Sequence, residues 1–133
     1  MVHHLISRGG KKDNIYFFLN LVNCLNFINK ELFQKGKLMI VKMEIDLERG
    51  FAPWKEMFID NEYKLNEHGG KLVFTGTEKD NDNKLTVIMD FESQEALQNF
   101  SGDEELTKIR AASGAKLETA IATIMSSDSF TKT

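Results

Sequence analysis

The sequence predicts an α+β domain of order βαββαβ, in which a four-stranded antiparallel sheet carries two helices on one face. Three observations support that expectation. "MIVKMEIDL" (39–47) alternates side chains with the period of a strand that buries one face. Residues 51–68 place apolar side chains at helical spacing between Gly50 and the pair Gly69-Gly70. "KLVFTGTE" (71–78) and "KLTVIMDF" (84–91) are two strand-like runs joined by the polar "KDNDN".

In the first strand Met39, Val41, Met43, Ile45 and Leu47 form the apolar set, out of phase with Ile40, Lys42, Glu44 and Asp46. Gly50 ends it, and Pro53 suits a first helical turn, where a missing N–H costs nothing. Phe51, Trp54, Met57, Phe58 and Leu65 share a helical face up to His68. Gly69-Gly70 offers the left-handed backbone that commonly closes a helix. Asn and Asp between the next two strands mark a hairpin turn. Ser93 can cap a second helix carrying Ala96, Leu97 and Phe100. That helix breaks at Ser101-Gly102 and restarts with Ser101 and Glu104 at capping-box spacing, continuing through Leu106 and Ile109 to Gly114. "KLETAIATIMS" (116–126) is the last strand, and residues 127–133 form a frayed tail. With right-handed crossovers the first and third strands lie in the centre, which is the ferredoxin-like architecture.

The second face of that sheet should be polar if it meets only water. Instead Ile40, Val73, Ile88, Ala120, Ala122 and Ile124 fall out of phase with the main apolar sets, and the last strand reads as apolar on both sides. A domain of about ninety-five residues also has a modest core. Homodimerisation through the open sheet face satisfies both conditions.

Residues 1–38 differ in kind. They carry six basic and two acidic side chains, against eleven and eighteen in residues 39–133. From Lys11 to Lys35, twenty of twenty-five residues are Phe, Ile, Asn, Lys, Tyr or Leu, whose codons are rich in A and T. Lys35-Gly36 can be encoded by a purine-rich run at ribosome-binding distance from Met39. The expectation is that Met39 is the natural initiator and that 1–38 is a misassigned or disordered extension. The rival reading takes residues 14–33 as an amphipathic helix with Asn20, Asn23, Asn26 and Asn29 as its polar stripe, docked on the domain, a partner or a membrane surface. Four amides argue against a spanning helix, and no small-residue cleavage site follows to complete a secretory signal.

The run "GGKLVFTGTEKDNDNKLTVIMDFES", with "ALQNF" and "IRAASGAK" after it, resembles a family of small proteins of unknown function from marine cyanobacteria. The similarity covers residues 39–126, and its strongest parts are Lys79, Asp80 and Lys84 of the hairpin and Ala112 to Gly114 before the last strand. It implies a dimeric α+β barrel, two ferredoxin-like sheets packed face to face. That group also holds cofactor-free monooxygenases, isomerases, cyclases and haem-degrading enzymes. No catalytic motif carries over to this chain.

Several activities are set aside. The acidic domain lacks the clustered cations that phosphate binding needs, and "KLTVIMDF" lacks the glycine and inner aromatics of an RNA-recognition strand, so no nucleic-acid partner is expected. "DNDN" (80–83) starts like an EF-hand loop, but Leu85 and Phe91 stand where Gly and Glu are required, leaving a solvated turn. Cys24 is the single cysteine, which excludes an internal disulfide or a cysteine zinc site and is compatible with the cytoplasm. His3-His4 form only a weak metal-binding pair, and neither metal nor cofactor is expected.

The remaining candidates are four residues. His68 could be a general base between helix and sheet, or a surface histidine that favours the helix dipole. Trp54 and Tyr63 share its helix as pocket residues, with Trp54 equally suited to the core. Arg49, beside Gly50, could hold an anionic group at the helix N-terminus or be a plain loop cation. The leading expectation is a dimeric barrel that binds a small apolar or amphipathic molecule or acts structurally. A cofactor-independent monooxygenase or isomerase using His68 and Trp54 is one alternative, and a small-metabolite sensor with effectors near Arg49 is another. A deep pocket at His68 would mark the enzyme, a filled interior the binding or structural protein, and a free cleft near Arg49 the sensor. If Met39 is the natural initiator, mass spectrometry of protein from its native source finds no peptide spanning Lys37 to Lys42; such a peptide overturns that expectation.

Overall fold

The computed structural model describes residues 39–132. The reading of Met39 as initiator, the amphipathic reading of 14–33, the His3-His4 pair and Cys24 concern residues 1–38 and lie outside the described residues.

The elements follow in the order β1 (Met39–Leu47), α1 (Phe51–Glu67), β2 (Gly70–Glu78), β3 (Asn81–Phe91), α2 (Gln94–Ser101), α3 (Glu104–Ala112) and β4 (Ala115–Ile124). They build an α+β domain whose antiparallel sheet has the order β2-β3-β1-β4, with the first and third strands central as expected. All five odd-numbered residues of β1 are buried, opposite the buried Leu85, Val87, Met89 and Phe91 of β3. The helices cover this face with Trp54, Leu65, Leu97, Phe100 and Leu106. A close approach fixes the helix-to-strand corner: a Cβ on Gly70 would lie 2.5 Å from Leu65 Cδ1 and 2.7 Å from the Phe91 ring.

The second helical stretch is two helices. Ser93 caps α2 as expected, its hydroxyl accepting from the Ala96 N–H at 3.0 Å. The restart is capped by Asp103, whose carboxylate accepts from the Leu106 N–H at 3.0 Å, and not by Ser101. Ser101 is still helical and donates to its own helix at the Gln98 carbonyl, so it has left the capping position.

Two irregularities in strand pairing correct the expected composition of the open face. In β2, Leu72 pairs with Met89 and Phe74 with Ile88, so Val73 is an extra residue. The bulge sets Phe74 on the open face opposite Ile88, and Val73 is 40% exposed. In β4, Lys116 pairs with Asp46 and Ile121 with Glu44, so β4 spends five residues where β1 advances two. The phase flips within that bulge. Ala120 and Ala122 become core, Ile124 packs against the core, and Ile121 faces outward at 59% exposure. The open face therefore carries Ile40, Phe74, Ile88 and Ile121 among its apolar residues.

The hairpin is tighter than "KDNDN" suggests, with Lys79-Asp80 as the turn and Glu78 paired to Asn81. Asp82 and Asn83 bulge out and do more than face solvent. The Asn83 side-chain oxygen accepts from the Gly50 N–H at 2.7 Å and an Asp82 carboxylate oxygen accepts from the Phe51 N–H at 3.0 Å. Gly50 has no side chain with which to cap α1, so the distant hairpin satisfies the N–H groups that a helix start leaves unpaired. The φ of +81° at Gly50 and the contact a Cβ there would make with the Asp82 carboxylate both require glycine. Asp82→Ala should lower stability by about 1 kcal/mol in urea denaturation, with Asp82→Asn losing less because its side-chain oxygen can still accept.

Candidate functional site

Chemistry-bearing side chains gather at three places: the far end of α1, the interior between helices and sheet, and the open sheet face. His68 follows α1 directly, and its Nε2 lies 2.9 Å from the Asp103 carboxylate that caps α3. Two helix ends are thereby joined, the C-terminus of α1 to the N-terminus of α3, where the Asp103 carboxylate suits the helix dipole. The imidazole also meets the Phe100 ring edge-on at 6.1 Å, and the Arg110 guanidinium lies 5.1 Å above the same ring. Arg110 donates to the Thr107 hydroxyl at 3.2 Å, and that hydroxyl donates to the Asp103 carbonyl at 2.9 Å. Lys64 and Glu105, 3.2 Å apart, add a second bridge from α1 to α3.

The electrostatics of this cluster serve to hold it together. Partial burial tends to raise the Asp103 pKa. The hydrogen bond from His68, the backbone N–H groups of Leu106 and Glu105 and the charge of the imidazole outweigh it, and the net value lies below the ordinary 3.8. Burial pushes Arg110 down to about 10, against the opposing charge of Asp103, so the guanidinium is still a cation at neutral pH. The groove beside His68 is open and polar, lined by Asn66, Glu67, Glu92, Ser93, Glu95 and Asn99. It does not enclose a substrate against the imidazole. Among the described residues no three His, Cys, Asp or Glu side chains come together as a metal-binding group.

The other sequence candidates are dispersed. Trp54 is 2% exposed and stacked between Phe51 and Phe58, at ring distances of 6.1 and 5.3 Å, which makes it core. Tyr63 is 55% exposed on the outer side of α1 and shares no pocket with it. Arg49 turns away from the N-terminus of α1 and donates to the Ala112 carbonyl at 2.6 Å, closing the C-terminal end of α3. The anion position it was expected to serve is filled by the carboxylate of Asp82. The interior between helices and sheet holds a residual cavity of about 30 Å³, bounded by Met43, Trp54, Met57, Phe100 and Arg110. That is space for a water or two, roughly 15 Å³ each.

Asp103 and Arg110 were not singled out from the sequence. The acidic run Asp103-Glu104-Glu105 ahead of Leu106 is an N-terminal helix signal that points to Asp103 as a cap. Nothing local links it to His68, thirty-five residues earlier.

A hollow lies on the open face, toward the end of β1. It measures about 320 Å³ and is bounded by Glu44, Asp46, Glu78, Lys84, Thr119 and Ile121. The β4 bulge makes this depression, and Thr119, at the bulge, accepts from the Asp46 N–H at 2.9 Å. Among the described residues no helix is long and apolar enough to cross a membrane.

No family model, curated protein or solved structure matches the chain. The cluster at the helix ends makes a pH prediction. Because folding lowers the Asp103 pKa, the carboxylate contributes stability that is fully present above its unfolded value of 3.8 and is lost as pH falls through the folded value. Asp103→Asn should be less stable at neutral pH and lose stability less steeply below pH 3.8, in urea denaturation repeated across the acid range.

Proposed function

We propose that the protein is a ferredoxin-like α+β-barrel protein that works as a homodimer, its two open sheet faces packed together. Its role is to bind a small apolar or amphipathic molecule between the sheets or to act structurally through the pair. The observation that carries this reading is the open face itself, with Phe74 54% and Ile121 59% exposed beside Ile40 and Ile88. Apolar side chains grouped on one sheet face favour contact with another surface over contact with water. The resemblance to the marine cyanobacterial family, and through it to dimeric barrels, points the same way.

The size of the face is sufficient. Strands about 4.8 Å apart and about 3.3 Å per residue make four strands of nine residues roughly 19 by 30 Å. Two such faces bury about 1,100 Å² before side-chain relief is added, close to the lower end of specific interfaces at about 1,200 Å².

The enzyme reading with His68 as base is less well supported, since His68 is bonded to a helix cap and its groove is open. The sensor reading loses its cleft, because Arg49 is committed to the Ala112 carbonyl. Light scattering on the full chain should give the mass of a dimer at micromolar concentration, and Ile88→Asp, at the middle of the face, should give a folded monomer. A monomeric unmutated chain at that concentration overturns the reading.

A further inference from the structure

The chain beyond β4 runs beside the open face, at the end away from the hollow. Beyond β4 the chain continues as an ordered turn: Met125 N–H donates to the Ile40 carbonyl at 2.8 Å, and Asp128 N–H to the Ser126 hydroxyl at 3.0 Å. This turn brings Ser126, Ser127, Ser129 and Phe130 around Ile40 and Asp90, at the end of the sheet where β1 begins. The chain after β4 thus lies at that end of the open face, with Phe130 90% exposed. The hollow at Glu44, Asp46 and Lys84 lies four to six residues further along β1, roughly 13–20 Å away.

We infer that the C-terminal tail of each protomer plugs the hollow of its partner, in a dimer whose two-fold axis crosses the strands at right angles through the Met43–Val87 pair. This rests on the dimer proposed above and adds its geometry. Such an axis stacks the beginning of β1 over its partner's end, so each tail meets a hollow and the contact is reciprocal. Phe130 then packs on the partner's Ile121, and Lys132, two residues on, reaches the partner's Glu44 and Glu78.

Charge on the face selects the same axis. The outward residues run Ile40, Lys42, Glu44, Asp46 on β1 and Lys84, Thr86, Ile88, Asp90 on β3, with Met43 opposite Val87 at the centre. A perpendicular axis through that pair sets Lys42 over the partner's Glu44 and Lys84 over the partner's Asp90. Among the residues of β1 and β3, an axis along the strands and midway between them opposes only Asp46 and Lys84 and sets Lys42 over Ile88. Two opposite-charge pairs outweigh one, and like charges meet in neither place. The hollow adds a further match, because its lining has three carboxylates and one lysine and the incoming tail brings a cation.

The test uses the full chain and reads its dimer dissociation constant by sedimentation. Phe130→Ser and Lys42→Glu should each raise that constant about tenfold, and Lys42→Glu with Glu44→Lys should restore it to within about threefold. In a Cys24→Ser background, Ile121→Cys with Phe130→Cys should form a covalent dimer on mild oxidation, and neither single substitution should. An unmutated dimer that is indifferent to Phe130→Ser, or that forms the covalent product from Phe130→Cys alone, overturns the plug. Failure of the charge exchange to restore affinity overturns the axis. An unmutated chain that is a monomer throughout overturns the dimer itself. All these residues other than Cys24 are exposed or half-buried on the open face or tail, so the substitutions leave the core intact.

Discussion

The packing of Met39, Val41, Met43, Ile45 and Leu47 beside Leu85, Val87, Met89 and Phe91 is the contact on which the position of every other element depends. These nine side chains occupy the helix-facing side of the two central strands, and a slip of one residue would turn all of one strand's set toward water. Once that register holds, α1 and the α2–α3 pair must lie on the same side, because the apolar surface is there. The small residual cavity shows how fully the helices satisfy it.

Polar chemistry in the protomer is accordingly spent at helix ends. Asp82 and Asn83 serve the start of α1, His68 and Asp103 join its end to the start of α3, and Arg49 serves the end of α3. Each contact satisfies backbone groups or dipole charge that helix formation leaves over. A histidine beside a carboxylate looks like a general base in isolation. Here the carboxylate is also a cap, the imidazole leans on Phe100, and the nearby cation is buried against the same ring. The cluster reads as a clasp between helices before it reads as catalytic machinery.

Much of this was legible in the sequence, for physical reasons that also mark where legibility stops. Period-2 alternation exposed β1 and β3 because both run regularly along their buried face, and Ser93 exposed α2 because its cap is local. Ala120 and Ala122 were misplaced, and Phe74 was missed, because alternation assumes an unbroken ladder. Where β4 or β2 carries an extra residue is decided by the neighbouring strand, which a single segment does not record. The two roles of Asp82 and Asp103 were hidden in the same way. Each side chain has a local signature, a turn in one case and a helix start in the other, but its partner is thirty-one or thirty-five residues distant. Of the four candidate site residues, Trp54 was recognisable as core from its helical face, whereas the commitment of Arg49 to Ala112 has no signature along the chain at all.

The distribution of charge gives the open face its meaning. Residues 39–133 carry a net charge of −7, so two copies approaching at random orientations repel. On the open face the ladder holds Lys42, Lys71, Lys84 and Lys116 against Glu44, Asp46, Glu78 and Asp90, a balanced set surrounding Ile40, Ile88, Phe74 and Ile121. The excess acid therefore lies on the rest of the surface. Mutual repulsion disfavours contact through the helix side and is weakest where the apolar residues are. A face meant only for water has no need of either property. Four exposed or half-exposed apolar side chains within a locally neutral field set this face apart from the rest of a strongly acidic domain.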